Sequence, residues 1–127
     1  MREFMFLIRN QIDHQRAWSP ERHQDFLKQC EQYIGRLKAN GNLIAAQPLI
    51  REGIIIAGVP GAWRDASFPE SSEVQVGYYH IRANDLDEAM EIARENPEFA
   101  FSTTARIEVR PLKTKEETTT FMYPSKG

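Results

Sequence analysis

Apolar positions recur along this chain with two different periods, and the changes of period divide it into elements. From Glu3 to Arg9 the pattern is that of a strand, with Phe4, Phe6 and Ile8 on one face and Met5 and Leu7 on the other. Asn10 to Trp18 is polar and aperiodic and reads as a loop. Ser19-Pro20 then supplies an N-cap and a proline in the first turn, where its missing N–H costs nothing. Phe26, Cys30, Tyr33, Ile34 and Leu37 follow at helical spacing on one face, and Asn40-Gly41 supplies a C-cap. Leu43 to Ala46 reads as a second strand that ends near Pro48.

Ile54 to Ile56 and Ala62 to Arg64 flank Gly58-Val59-Pro60-Gly61, which predicts a β-hairpin, and Ser67 to Ser72 is loop-like. Val74 to Arg82 is a strand, with Val74, Val76, Tyr78 and His80 on one face and Gln75, Gly77, Tyr79 and Ile81 on the other. Asp85-Leu86-Asp87-Glu88 resembles a capping box ahead of an amphipathic helix that must stop before Pro97. Ala105 to Arg110 alternates, with Ala105, Ile107 and Val109 inward. Lys113 onward is a charged, then threonine-rich tail whose Thr118 to Tyr123 stretch is open to being an edge strand, an arm or a mobile segment.

Two strand–helix–strand units in this order predict an α+β, ferredoxin-like split βαβ fold with an antiparallel sheet and an extra β-hairpin. Crossovers are right-handed in about 98% of cases, which puts both helices on one face. The other face, carrying Met5, Leu7, Tyr79 and Ile81, is then bare. A patch of that kind calls for a second copy packed sheet to sheet, so a homodimer is expected. The expected domain spans 1–112, with 113–127 as the tail.

Composition adds exclusions. Hydrophobic residues at 41% and charged residues at 27% are an ordinary globular mixture. A net charge of −2 with no basic cluster argues against direct nucleic-acid binding. Apolar runs such as Ile54 to Ala57 fall far short of the ~20 residues of a membrane span. An acid at Glu3 interrupts any leader-like start, and a cytoplasmic location is expected. Cys30 is the single cysteine, which leaves no internal disulfide and reads as a small buried hydrophobe.

The candidate chemistry is sparse. His14, His23 and His80 share no ligand spacing, so no metal site is expected, and no phosphate loop or dinucleotide fingerprint calls for a cofactor. Asp65 reads either as an Asx-type turn residue after the hairpin or as a carboxylate at a cleft mouth with Trp63 and Phe68 as apolar walls. Arg9, at a strand end, is either surface-paired or the positive partner of an anionic ligand. Tyr78 and Tyr79 must face opposite sides, one into the core and the other to an interface or cleft.

Taken in order, Glu3-Phe4-Met5-Phe6, Ser19-Pro20-Glu21, Ala39-Asn40-Gly41-Asn42, Gly77-Tyr78-Tyr79, Asp85 to Ala89 with Asn96-Pro97, and Glu108-Val109-Arg110-Pro111 resemble the YCII-related family. The resemblance is to its longer form, marked by an Asp-Gly-Pro-Phe motif. That motif falls on Asp65-Ala66-Ser67-Phe68, where the glycine and proline are replaced; Glu70 keeps an acidic position and Ser72 stands where lysine is frequent. The resemblance implies a dimeric α+β barrel with a cleft between the sheets, and His23 near the place of a histidine that shorter relatives pair with an aspartate. It also implies a gene-level association with sigma factors. Two function classes follow: a dimer binding a small molecule in the inter-sheet cleft, favoured by the loss of the motif's glycine, proline and lysine, or a small enzyme using a cleft carboxylate, with Asp65 and His23 as catalytic candidates and Arg9, Trp63, Phe68 and Tyr79 as ligand contacts. An accessory role in transcription regulation is a third, carried by the resemblance alone.

Overall fold

The computed structural model describes residues 1–69 and 72–124. Glu70, the acidic position of the motif, lies outside the described residues. The elements are β1 (Arg2–Gln11), α1 (Pro20–Ala39), β2 (Leu43–Pro48), β3 (Ile54–Val59), β4 (Ala62–Ser67), β5 (Glu73–Ala83), α2 (Leu86–Arg94), α3 (Pro97–Phe101) and β6 (Arg106–Pro111). Antiparallel pairing orders the main sheet β2-β5-β1-β6, and β3 with β4 forms a separate hairpin. With the hairpin set aside, the four strands run 4-1-3-2, the ferredoxin-like order expected from two split βαβ units.

The caps act as the sequence predicts. Ser19 accepts from the Arg22 amide at 3.1 Å, and Gly41 takes a φ of +75° beyond the C-cap Asn40. Asp85 accepts from the Glu88 amide at 2.9 Å, while the Glu88 carboxylate reaches back to Asn84, one residue earlier than an ideal box. Gly58 and Gly61, at φ +115° and +86°, make the hairpin turn possible.

The core lies between the helices and one face of the sheet. Phe4, Phe6 and Ile81 are completely buried there, with Tyr33 and Leu37 of α1 and Ala89 and Ala93 of α2 packed over them. Each of those large side chains contributes about 2 kcal/mol by leaving water. Leu112 donates its amide to Glu3 at 3.0 Å, and the tail then folds on itself through the Lys115–Met122 bridge. Among the described residues it adds no strand to the sheet.

Three expectations need correction. Tyr79 and Ile81 lie on the helix-covered face, opposite Phe6 and Phe4, and not on the bare face with Met5 and Leu7. The cause is a β-bulge: Ile8 pairs with Gly77 but Arg9 with Gln75, so Val76 is an extra residue that reverses the alternation. The open face therefore carries Met5 and Leu7 beside His80 and Tyr78. Asp65 lies within β4, paired with Ile56, because the hairpin strands run three residues beyond the apolar segments that announce them. A third helical segment, α3, follows α2 where only a stop is legible.

Candidate functional site

The loop after β1 is built from successive short turns, His14 N to Gln11 O, Arg16 N to Asp13 O and Trp18 N to Gln15 O. Trp18 anchors it, its ring 5.1 Å from Phe26 of α1 and 5.7 Å from Phe101 of α3. Arg22 stacks on Trp18 and Phe101 and donates to the Phe101 carbonyl at 2.9 Å. The turns thereby hold His14 inside the protein.

His14 Nε2 lies 2.7 Å from Glu98 Oε1, with the two side chains only 3% and 7% exposed. The contact is close but poorly aligned, and Nε2 has no well-directed hydrogen bond. Glu98 also accepts from Asn10 Nδ2 at 3.2 Å. Asn10 is itself buried and fully engaged, accepting from the Gln11 amide at 2.8 Å and the Thr104 hydroxyl at 2.6 Å. On the other side of the imidazole, Nδ1 stands 2.9 Å from Arg51 Nη2 and 3.1 Å from the Gln11 carbonyl. A guanidinium can only donate, so Nδ1 accepts from Arg51 when the ring proton sits on Nε2 facing Glu98, and the Gln11 carbonyl is then served by the His14 backbone amide and not by the ring. Burial lowers the Arg51 pKa from its ordinary value, with Glu98 opposing the shift.

Asn96 caps α3 and accepts from the Glu98 amide at 2.9 Å, which fixes its oxygen on the helix and turns its NH₂ away. That nitrogen is buried beside the Tyr33 and Tyr79 hydroxyls, without a well-directed hydrogen bond to either. Tyr33 and Tyr79 pack edge to face with centroids 5.4 Å apart, and the Tyr33 hydroxyl donates to the Ile92 carbonyl at 2.6 Å. Burial pushes both phenols up, so they are neutral donors at physiological pH. Burial also raises the Cys30 thiol to about 11, with Glu98 adding to the effect.

His14, Arg51, Tyr79, Asn96 and Glu98 form the polar floor of a cavity of about 880 Å³ between α1 and the β2–β5 side of the sheet. Phe26, Cys30 and Ile34 line it from α1, and Ala46, Val76 and Tyr79 from the sheet. Leu27, Leu49 and Ile50 leave an apolar mouth exposed. Gly35 faces that mouth with open space where a side chain would project, whereas a Cβ at Gly77 would come within 3.2 Å of the Gln47 carbonyl. A volume of this size with apolar walls and a few convergent polar groups is the usual form of a small-molecule site.

Of the residues singled out from sequence, Tyr79 lines this cavity. Arg9 lies on the open face in a network with Glu73 at 2.7 Å, joined by Arg106 at 2.6 Å. Hydrogen bonds from Arg106 and Arg9 hold the Glu73 carboxyl below its usual range. Trp63, 61% exposed, and Asp65 sit on the hairpin. Phe68 packs over Gly53, where an added Cβ would stand 2.7 Å from its ring, and borders a shallow depression with Arg51 and Ile12. His23 lies in the first turn of α1, 6.2 Å from the Trp18 ring. The structure thus brings Tyr79 together with His14, Arg51, Asn96 and Glu98, and leaves the other candidates elsewhere.

A sequence signal for two of those missed residues exists. Asn96-Pro97-Glu98 repeats the cap–proline–acid pattern of Ser19-Pro20-Glu21, yet Glu21 is exposed and Glu98 buried. Among the described residues, no group of three or more His, Cys, Asp or Glu gathers to hold a metal ion. No helix among the described residues is long and apolar enough to cross a membrane.

A four-stranded sheet of ferredoxin-like order, covered by helices on one face and holding a polar-floored cavity beneath α1, defines the α+β class of this protein. The model of the YCII-related domain matches residues 2–113, and the chain belongs to that family. Comparison with curated proteins gives no match.

Proposed function

We propose that this YCII-related protein is a cytoplasmic homodimer that binds a small molecule in the cavity between α1 and the sheet. The observation that carries the reading is the pairing of an apolar cavity with a buried nitrogen, Asn96 Nδ2, that lacks a directed hydrogen bond. Buried donors in folded proteins are nearly always satisfied, so a poorly satisfied one on a cavity wall is a place for a ligand's oxygen. This location lies within one chain, on the opposite side of the sheet from the open face that a second copy would cover. Support for the dimer comes from Met5, Leu7 and Tyr78 on that open face and from what the family resemblance implies.

A second reading, acid–base catalysis, rests on the His14–Glu98 contact. A carboxylate beside Nε2–H favours the imidazolium, and Arg51 must leave Nδ1 before that nitrogen can take a proton. The test of the binding reading is a fragment screen by thermal shift on wild type and Gly35→Leu. Leucine fills the mouth and also favours the helix, so the variant is expected to fold at least as well and to lose the hits. Hits that bind both proteins equally would place the ligand elsewhere.

A further inference from the structure

The ligand's chemistry follows from the polar groups left unfilled, on the reading that the cavity binds a small molecule. Glu98 is already engaged by Asn10 and faces His14, so its acceptor capacity is largely occupied. What remains is donor capacity: the Asn96 NH₂, turned by the α3 cap toward the Tyr33 and Tyr79 hydroxyls without a well-directed bond to either, and the spare N–H groups of Arg51. Arg51 hydrogen-bonds to His14 and forms no ion pair with a carboxylate among the described residues. Both residues line the same cavity, and both adjoin the His14–Glu98 pair. The rest of the lining is mostly apolar, with Phe26, Ile34 and Val76, and its charged members, Glu31 and Lys38 of α1, are solvent-exposed.

We propose that the cavity takes an organic acid, with an aromatic or branched apolar body against α1 and its carboxylate on Asn96 Nδ2 and the Arg51 guanidinium. A planar carboxylate offers two acceptor oxygens and one negative charge, which matches one amide donor beside one partly buried cation. A neutral amide would bring its own NH₂ toward a wall that already holds donors, and an ammonium would meet Arg51 directly. Tyr79 and Tyr33, held neutral, add no competing charge.

The experiment compares phenylacetate with phenylacetamide and phenethylamine by calorimetry and by the side-chain NH₂ resonance of Asn96, in wild type, Asn96→Asp and Arg51→Gln. Aspartate keeps the capping oxygen and replaces the free donor by an acceptor. Arg51→Gln removes the charge from a loop residue and serves if Asn96→Asp does not fold. Phenylacetate is expected to bind best to wild type, to shift the Asn96 resonance, and to weaken about tenfold or more in each folded variant, as for loss of a charge-assisted hydrogen bond. Phenylacetamide binding as tightly as the acid, or phenylacetate unaffected by both substitutions, would overturn the organic-acid assignment while leaving a ligand cavity. If none of the three probes binds and the fragment screen is also empty, the binding reading falls with it.

Discussion

The residues that decide the interior of this protein are polar. Asn10 has no solvent exposure and ties β1 to α3 and to Ser102 and Thr104 through four side-chain contacts. Asn10→Leu leaves Glu98 and the Gln11 amide short of partners and is expected to cost about 2–4 kcal/mol in urea unfolding, the range for an orphaned buried network. Asp65→Asn, on the exposed hairpin, is expected to change stability by no more than about 0.5 kcal/mol. A reversal of that ranking would contradict the placement of both residues. The Cys30 thiol, raised to about 11, is protonated at pH 8, with a thiolate fraction on the order of a thousandth against about a quarter for a free thiol. Because a more basic thiolate is also the better nucleophile, reaction with a disulfide reagent at pH 8 is expected to be at least about tenfold slower in the folded than in the urea-unfolded protein, and equal rates would show that Cys30 is not held as described. The helical stripe places Cys30 on the inner side of α1, where it is half-buried on the cavity wall and not fully buried as expected. His14 was not legible, because nothing in an aperiodic loop announces that its turns fold inward against Trp18.

At the scale of elements, caps and periods were readable because they act locally. Both Ser19-Pro20 and Asn40-Gly41 work where they stand, and Ser19→Ala is expected to lower stability by about 1 kcal/mol by leaving the Arg22 amide uncapped. Strand faces were readable only up to the bulge. One extra residue at Val76 moves Tyr79 and Ile81 to the core, and no local signal in Val74 to Arg82 distinguishes a bulged from a regular strand. The hairpin is a separate two-stranded unit, and Gly58, at φ +115°, is its weakest point. Gly58→Val is expected to speed amide exchange within residues 54–67 while leaving β1 and β5 protected; loss of protection throughout would mean that the hairpin and the main sheet unfold together.

At the scale of the whole molecule, the order of elements sufficed for the ferredoxin-like topology, since two βαβ units with right-handed crossovers leave few alternatives. The candidate site was not readable in the same way, because it assembles from five places distant in sequence: the loop after β1, α1, the loop after β2, β5, and the start of α3. The sheet's open face remains the basis for pairing. Sedimentation at micromolar concentration is expected to show twice the 14.7 kDa chain mass, and Leu7→Glu to shift it to the monomer. A single chain-mass species for wild type would rule the dimer out. The claim on which the account turns is that the cavity under α1 is the ligand site. Its most direct measurement is a crystal structure of the protein with its tightest-binding probe. The account predicts density between α1 and β5, in contact with Tyr79 and Asn96; density confined to the hairpin around Asp65 and Trp63, or to the open face of the sheet, would contradict it.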